Sequence, residues 1–171
     1  MRQICPLDRN HDRSEFDCGE EALNRYLRET ARQHNEKGVA KTFVYVDSDH
    51  PEKILGYFTL AICEIVTQKL PKKYAKRLPG KVPTAKLGRL AVSRFCQGER
   101  IGTILMVEAM QRTLAVADSF GIVGFFVDAK NESAKQFYER FGFIELQENP
   151  LTLFLPLQTL LDANRSWGGC C

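Results

Sequence analysis

The sequence lacks several features that would place it outside the ordinary globular proteins. None of its hydrophobic runs approaches the roughly 18 residues that a membrane-spanning helix needs, and the longest runs have the length of a strand. Residues 1–8 contain no apolar segment of the kind that a signal peptide carries. We therefore expect a chain that stays in the cytoplasm and has no membrane partner.

Patterns for metal binding and for disulfides are also missing. The six cysteines include no C-x-x-C pair, and no histidine stands near a cysteine at the spacing of a zinc site. Free thiols in a reducing compartment are the simplest interpretation. We expect no metal.

The length and composition fit one globular domain. The chain has 171 residues, of which 44% are hydrophobic and 26% are charged. A chain of this size buries enough surface to fold without a metal or a disulfide. We expect a single domain over residues 1–163 and a flexible C-terminal tail over residues 164–171, which ends in Cys170 and Cys171.

Acidic residues are absent between Glu64 and Glu99, although the net charge is only +3. Nine lysines and arginines lie in residues 69–94, which we call the basic segment. A surface with this charge attracts polyanions, with an affinity that falls as salt rises. Two interpretations stay open: a nucleic-acid-binding surface, or a solvated loop whose lysines only provide solubility.

The hydrophobic pattern alternates between helical and strand periods. Residues 17–20 have the form of a capping box, and the helix that follows should end near Lys37 and Gly38. Two strands over residues 41–46 and 54–63 should form an antiparallel hairpin. Residues 68–83 should form a loop with at most a short helix over 72–77.

The second half of the chain continues this alternation. It predicts strands over 86–93, 122–127, 143–146 and 151–155, a long helix over 102–119, and a short helix that Asn131 caps and Gly142 stops. The fold class that follows is a mixed α/β sheet with helices on both faces.

The turn between the strand over 86–93 and the long helix is suited to an anion. It reads Gln97, Gly98, Glu99, Arg100, Ile101, Gly102, and Thr103 follows in the first helical turn. Backbone amides at a helix start have no partner within the helix and bind phosphate readily. The turn has neither the P-loop spacing nor three glycines, so a simple tight connection is the alternative.

Tyr138 is the candidate for proton chemistry. Ala134, Phe137, Tyr138 and Phe141 fall on one face of the short helix, so the Tyr138 ring lies on the apolar side while its hydroxyl needs a partner. The alternative is a core tyrosine that donates to a backbone carbonyl.

The turn over residues 97–102 after its strand and the segment over residues 131–143 together resemble the GNAT superfamily of N-acetyltransferases. Residues 16–24, 87–92 and 150–153 extend the resemblance over nearly the whole chain, and it is closer still to the branch of toxins from type II toxin–antitoxin systems that acetylate aminoacyl-tRNA. The resemblance implies a central, mostly antiparallel sheet that splays between its middle strands, with helices on both faces.

The resemblance also implies acetyl-CoA as co-substrate, with no metal. Tyr138 would be the acid that protonates the departing thiolate, because the reference pKa of a phenol, about 10, lies near that of a thiol. The residues that the resemblance assigns to acetyl-CoA are Leu90, Ala91, Val92, Gln97, Gly98, Glu99, Arg100, Ile101, Gly102, Thr103, Asn131 and Phe137.

One position departs from the superfamily pattern. Arg100 stands where the first glycine of the turn is usual. If that position needs a positive φ, Arg100 is strained by about 1 to 2 kcal/mol, which would weaken acetyl-CoA binding. Alternatively its guanidinium pairs with a phosphate of CoA and binding is preserved.

The toxin branch implies an aminoacyl-tRNA substrate, a ribbon-helix-helix antitoxin and a homodimer. Candidate tRNA-binding residues are Arg77, Arg89, Arg94, Lys37 and Lys41. Asp128, at the end of the strand before the Asn131 helix, is the carboxylate nearest to the two motifs. It could act as a base on the substrate amine, or it could cap the Asn131 helix. Two other functions stay open: a GNAT enzyme for a small-molecule or protein amine, and a non-catalytic module that keeps only the nucleic-acid surface.

Overall fold

The computed structural model describes residues 1–167, which form two compact units. One unit comprises Met1–Ala61 and Gly88–Ala109, and the other comprises Ile62–Leu87 and the chain from Met110 onward. Cys170 and Cys171 lie outside the described residues. The described cysteines, Cys5, Cys18, Cys63 and Cys96, are free thiols, as predicted.

The first unit begins with a short strand and a helical segment. The segment consists of two α-helices that a π-helical turn, Tyr26–Thr30, joins end to end. Strand β1 pairs antiparallel with β2, and β2 pairs antiparallel with β3, which confirms the predicted hairpin. The bounds are β1 Arg2–Pro6, α1 Glu21–Arg25, α2 Ala31–Lys37, β2 Lys41–Asp47 and β3 His50–Val66.

The predicted capping box at residues 17–20 is wrong. Helix α1 starts after Glu20, and no side chain caps its first turn. The Asp17 carboxylate instead accepts hydrogen bonds from the Gly19 amide (2.8 Å) and the Asn24 side chain (2.9 Å). Asp17 therefore shapes the loop before the helix. The predicted end at Lys37 is confirmed, with Gly38 in the left-handed region at φ 72°.

The second unit carries the rest of the sheet. Strands β3 and β4 and helix α4 contribute residues to both units. The bounds are α3 Lys72–Ala75, β4 Lys81–Val92, α4 Ile101–Ser119, β5 Gly124–Asp128, α5 Glu132–Glu139, β6 Ile144–Leu146, β7 Asn149–Pro156 and α6 Leu157–Trp167.

The sheet has seven strands in the order β1-β2-β3-β4-β5-β7-β6. Strands β4 and β5 pair in parallel over three positions, Ala85 to Leu87 with Phe125 to Val127. Strand β7 pairs antiparallel with both β5 and β6. The predicted fold class, a mixed α/β sheet that is mostly antiparallel, is confirmed. A parallel pair needs a crossover, and helix α4 provides it.

The predicted strands and helices are present, and one helix is new. Strands β3, β4 and β7 are longer than predicted, whereas β5, β6 and α5 are shorter. Strand β4 begins at Lys81, so Pro83 lies within a strand rather than in the predicted loop. Helix α6 covers residues for which the sequence analysis predicted neither a helix nor a strand. Leu160 on this helix is fully buried. The boundary of the domain at residue 163 stays a prediction. Within residues 1–167, no helix combines the length and the hydropathy needed to cross a bilayer.

Candidate active site

The turn after β4 is anchored from both of its sides. The Gln97 side chain donates to the carbonyl oxygens of Val92 and Cys18, each at 3.1 Å. The Glu99 carboxylate pairs with Arg2 at 2.7 Å. Gly98 has φ +90°, and a Cβ built on it would meet no atom within 4 Å. The turn is therefore fixed in conformation while the space beside Gly98 stays open.

The start of helix α4 presents backbone amides beside this open space. Its first bond of the helical type runs from the Ile104 amide to the Arg100 carbonyl at 3.2 Å. The amides of Ile101, Gly102 and Thr103 precede that bond and have no partner within the helix. Together with the helix dipole they can bind an anion.

Arg100 adopts the left-handed conformation that the sequence analysis considered. Its φ is 60°, and Arg77 is the other described non-glycine residue with a positive φ. The conformational cost of about 1 to 2 kcal/mol therefore applies at Arg100. Its side chain is exposed, and the proposed pairing with a phosphate of CoA stays a prediction.

We expect Arg100→Gly to raise the free energy of unfolding by about 0.5 to 1 kcal/mol. The substitution removes the left-handed cost of about 1 to 2 kcal/mol, and the entropy that glycine adds to the unfolded chain offsets about 0.5 to 1 kcal/mol of it. Urea unfolding measures the difference. Gly98→Ala, which places a side chain at φ +90°, is the converse control and should destabilise. A lower stability for Arg100→Gly would show that the arginine side chain contributes contacts that outweigh its strain.

Tyr138 is held on helix α5, whose start is capped as predicted. The Asn131 side chain accepts a hydrogen bond from the Ala134 amide at 2.9 Å. The Tyr138 ring packs against the rings of Phe137 and Phe143, with centroids 5.3 Å and 5.9 Å away, and the residue is only 8% exposed. This burial raises the pKa of the Tyr138 phenol to about 12. The phenol is therefore protonated at neutral pH.

The Tyr138 hydroxyl differs from that of a structural tyrosine in the same chain. The hydroxyl of Tyr57 donates to the Leu23 carbonyl at 2.8 Å, and burial raises its pKa. Among residues 1–167, the Tyr138 hydroxyl has no such hydrogen-bond partner. Tyr138 is therefore a core tyrosine that donates to no backbone carbonyl among the described residues, and its role as the acid stays a prediction.

Asp128, at the end of β5, has its carboxylate fixed by two neighbours. Its Oδ1 accepts from the Thr152 hydroxyl at 2.9 Å, and its Oδ2 lies 3.2 Å from the Lys86 ammonium. Because Asn131 caps α5, the interpretation of Asp128 as the cap is wrong. The sequence analysis missed Lys86 and Thr152 as neighbours of Asp128, because the three residues lie on different strands and only the pairing of the strands brings them together.

The residues predicted to bind tRNA have different surroundings. The Arg89 guanidinium stacks on the Tyr26 ring, 3.5 Å from its centroid, and Arg94 pairs with Asp17 at 3.3 Å. Lys41 donates to the Asn35 carbonyl at 3.0 Å. Lys37 and Arg77 are exposed. Their role in tRNA binding stays a prediction.

The predicted residues of the acetyl-CoA strand all lie at the end of β4. Leu90 and Val92 are half-buried and Ala91 is buried.

Within residues 1–167, no group of three or more histidine, cysteine, aspartate or glutamate side chains is placed to hold a metal ion.

The chain belongs to the acetyltransferase (GNAT) family, whose family model matches residues 8–143. This confirms the family that the sequence resembles. It also makes the chain an acetyl-CoA-dependent acetyltransferase by family.

Among known proteins, the chain is similar to the tRNA-acetylating toxin of Mycobacterium tuberculosis. The two are 32% identical over 154 residues, which are 90% of this chain and 89% of the relative. The chain is also similar to AtaT complexed with acetyl-methionyl-tRNAfMet, with 33% identity, a TM-score of 0.89, and coverage of 96% of this chain and 99% of that one.

A further structure is that of a tyrosine-to-phenylalanine mutant of the AtaT toxin bound to the C-terminus of the antitoxin AtaR and acetyl-CoA. It is 31% identical to this chain, with a TM-score of 0.81, and the match covers 95% of this chain and 98% of that one. The fold class and the toxin branch predicted from the sequence agree with these similarities.

Proposed function

We propose that this chain is the toxin of a type II toxin–antitoxin system, which transfers acetyl from acetyl-CoA to the α-amine of an aminoacyl-tRNA and thereby blocks translation. The observation that carries the enzymatic part is the Tyr138 hydroxyl, which is protonated and has no partner among the described residues. The similarity to a tRNA-acetylating toxin over 90% of the chain supports the substrate.

The turn after β4 fits the diphosphate of acetyl-CoA. The open space beside Gly98 and the amides of Ile101, Gly102 and Thr103 suit a group with two phosphates. Leu90, Ala91 and Val92 would hold the pantetheine arm, with Asn131 and Phe137 at its reactive end. When bound, acetyl-CoA supplies an acetyl group activated as a thioester.

Tyr138 would move the proton that the leaving sulfur needs. As the amine nitrogen forms its bond to the acetyl carbon, the carbon–sulfur bond breaks and the Tyr138 hydroxyl donates its proton to the sulfur. The nitrogen releases a proton to solvent, and the phenolate then takes one back. With a pKa of about 12 the Tyr138 phenol is protonated at neutral pH, but it is a weaker acid than the reference phenol whose pKa lies near that of a thiol.

The acceptor amine needs little help from a base. The reference pKa of an α-amino group is about 7.7 to 8.0, so a useful fraction is neutral at pH 7. We therefore expect the rate to rise with pH up to about pH 8 as the amine loses its proton.

The basic segment would bind the acceptor stem through its phosphates. Arg77, Arg89 and Arg94 are the principal candidates, and Lys37 and Lys41 are further ones. Stacking on Tyr26 keeps the Arg89 guanidinium in one orientation without neutralising its charge. Arg94 has to share its charge with Asp17, so we expect a smaller effect from it than from Arg89.

The partners follow from the same proposal. A toxin of this kind needs a protein antitoxin, which we infer to be of the ribbon-helix-helix type, and the complex of AtaT with the C-terminus of AtaR supports a protein partner. We also infer a homodimer and a cytoplasmic location, where aminoacyl-tRNA is found.

The test is acetyl transfer from labelled acetyl-CoA to charged tRNA. We expect label on the aminoacyl group of charged tRNA, and none on the same tRNA after deacylation. Transfer to a polyamine or a peptide amine but not to charged tRNA would favour the alternative of a GNAT enzyme for a small-molecule or protein amine. Binding of tRNA with no transfer at all would favour a non-catalytic module.

Measuring the affinity for tRNA at several salt concentrations tests the predicted tRNA-binding residues. Each lost phosphate contact flattens the dependence of tRNA affinity on salt by about one unit of slope. Arg89→Glu should do so, whereas Arg9→Glu, on an exposed residue outside the basic segment, should not. An unchanged slope for Arg89→Glu would remove Arg89 from the tRNA-binding surface.

A further inference from the structure

The first unit contains a pocket of about 310 Å³ between the loop before α1, the start of β3 and the residues that follow β4. Its buried lining residues are Phe16, Ile54 and Ser93. Its exposed lining residues, which form the rim, are Asp12, Glu15, Glu52, Lys53 and Phe95. None of these residues belongs to the anion-binding turn, and none takes part in the chemistry proposed for Tyr138. We call this site the Ser93 pocket.

The Ser93 side chain lines the pocket with a hydroxyl that has no partner. The residue is only 6% exposed, and it precedes a short 3₁₀ turn without capping it. Its amide donates to the Leu55 carbonyl at 2.9 Å, but among residues 1–167 its hydroxyl forms no hydrogen bond. A buried polar group without a partner is costly, and a bound molecule can remove that cost. The hydroxyl therefore indicates a ligand that forms hydrogen bonds.

The charge of the rim favours a cationic ligand. Against one lysine, Lys53, the described lining carries three carboxylates, those of Asp12, Glu15 and Glu52. Within residues 1–167 none of these carboxylates pairs with a lysine or an arginine. The Asp12 carboxylate accepts from the Ser14 hydroxyl at 2.6 Å, and Glu52 lies 3.7 Å from the His50 ring. A cation from outside the chain would therefore be attracted here.

Two arginines that stand next to lining residues in the sequence have partners elsewhere. Arg13 donates to the Arg28 carbonyl at 2.7 Å, and Arg94 pairs with the Asp17 carboxylate at 3.3 Å. Neither side chain lines the Ser93 pocket. The carboxylates of the rim are therefore not held by the cations nearest to them in the sequence.

Phe95 gives the rim an unusual apolar surface. The residue is 78% exposed, and its ring contacts no other ring and no cation among residues 1–167. The face of an exposed aromatic ring attracts a cation that lies over it. Aromatic residues and arginine are also enriched in the interfaces between proteins. An exposed phenylalanine beside an acidic pocket is therefore typical of a surface that receives a protein partner.

The buried and exposed residues together match an arginine side chain. Its methylene groups would lie on Phe16 and Ile54, and its guanidinium would reach the carboxylates of the rim. A guanidinium donates several hydrogen bonds in a fixed geometry and stacks on aromatic rings, which the ammonium of lysine does less well. The volume lies at the lower end of the range of ligand pockets, about 300 to 1,000 Å³, and so suits one side chain.

We propose that the Ser93 pocket is a docking site for a protein partner, which inserts an arginine from a basic segment. The guanidinium donates to the Ser93 hydroxyl and to the carboxylates of the rim, and it stacks on the Phe95 ring. The inference stands apart from the proposed function, because no residue of the pocket is a candidate for catalysis, for acetyl-CoA binding or for tRNA binding.

The first test is a titration of the full chain, labelled with ¹⁵N, with short capped peptides that have glycine on both sides of one central residue. We expect the peptide with arginine to bind about tenfold more tightly than the peptide with citrulline, which has nearly the same shape and no charge. The amide shifts should centre on Ile54, Ser93 and Phe95. Equal affinity for the two peptides, or no shift at these residues with about 10 mM arginine peptide, would overturn the proposal. Tighter binding of spermidine than of the arginine peptide would assign the pocket to a small polyamine instead.

Ser93→Ala tests the buried hydroxyl. We expect the affinity for the arginine peptide to fall about threefold to tenfold, because the guanidinium loses one acceptor. Stability to urea should not fall, since the hydroxyl has no hydrogen bond to lose among the described residues. An unchanged affinity together with a lower urea midpoint would show that the hydroxyl serves the fold, which contradicts the proposal.

Glu15→Gln and Phe95→Leu test the rim, each against a matched variant in the other unit. We expect each to weaken the arginine peptide about threefold or more, through the lost charge and the lost ring. Glu148→Gln and Phe120→Leu change exposed residues in the other unit and should leave the affinity unchanged. The proposal fails if the variants of the rim bind the peptide as tightly as these controls do.

Discussion

Replacing Tyr138 with phenylalanine should lower the turnover number for acetyl transfer by about 10²- to 10⁴-fold, which is the usual contribution of a positioned acid. The substitution removes one hydroxyl and keeps the ring that packs against Phe137 and Phe143. Because the hydroxyl has no hydrogen bond to lose among the described residues, the fold should keep its stability. The affinity for acetyl-CoA should change little, since the turn after β4 is untouched.

Steady-state kinetics and calorimetric titration with acetyl-CoA measure these two effects. Tyr57→Phe is the matched control, because its hydroxyl donates to the Leu23 carbonyl. We expect this variant to lose about 1 to 2 kcal/mol of stability and to keep its turnover number. Full activity in Tyr138→Phe would exclude Tyr138 as the acid.

The candidate site was predictable where local sequence determines it. The Asn131 cap, the left-handed position at Arg100 and the apolar face that carries Tyr138 each depend on residues within one or two turns of the chain. The unpartnered state of the Tyr138 hydroxyl was not predictable, because it depends on which carbonyls the fold brings near. The setting of Asp128 between Lys86 and Thr152 joins three strands, and no spacing in the sequence indicates it.

Gly124→Ala should lower the free energy of unfolding by about 3 kcal/mol, a cost at the upper end for overpacking. A Cβ at Gly124 would lie 2.4 Å from the Leu155 carbonyl oxygen and 2.6 Å from the Phe154 ring. Both neighbours belong to β7, which pairs with β5 along its length. The strands would have to separate, because a backbone oxygen cannot turn aside as a flexible side chain can.

Thermal unfolding measures this effect as a fall of about 6 to 12 °C in Tm for a chain of this size. Gly121→Ala provides the control, since a Cβ there would meet no atom within 4 Å. We expect that variant to stay within about 0.5 kcal/mol of the wild type. A Gly124→Ala protein as stable as Gly121→Ala would contradict the close approach of β5 and β7.

Most strands and helices of the fold were predictable from residue types, hydrophobic pattern and turn residues. Capping signals were a less reliable guide to where helices begin. The β2–β3 hairpin was predictable from its β-branched and aromatic residues and from the turn between the strands, and α4 from a long helical segment that is apolar on most of its surface. The capping box failed because Asp17 found better partners in the loop, namely the Gly19 amide and Asn24. Helix α6 was missed although Leu157, Leu160 and Leu161 stand at helical spacing, because it follows β7 without a turn and its second half was assigned to the tail over residues 164–171.

Because two phenols are buried, the stability of the fold depends on pH in the alkaline range. Tyr57 and Tyr138 both have pKa values above the usual 10, so the native chain keeps two protons that the unfolded chain releases. The contribution of these two phenols to stability is therefore constant below about pH 10. Above it the contribution falls by about 1.4 kcal/mol per pH unit for each phenol, until the pKa of that phenol in the native state is passed. Tyrosinate absorbance from these two rings should appear together with the loss of circular dichroism. Tyr138→Phe should make the fall of the free energy of unfolding with rising pH less steep.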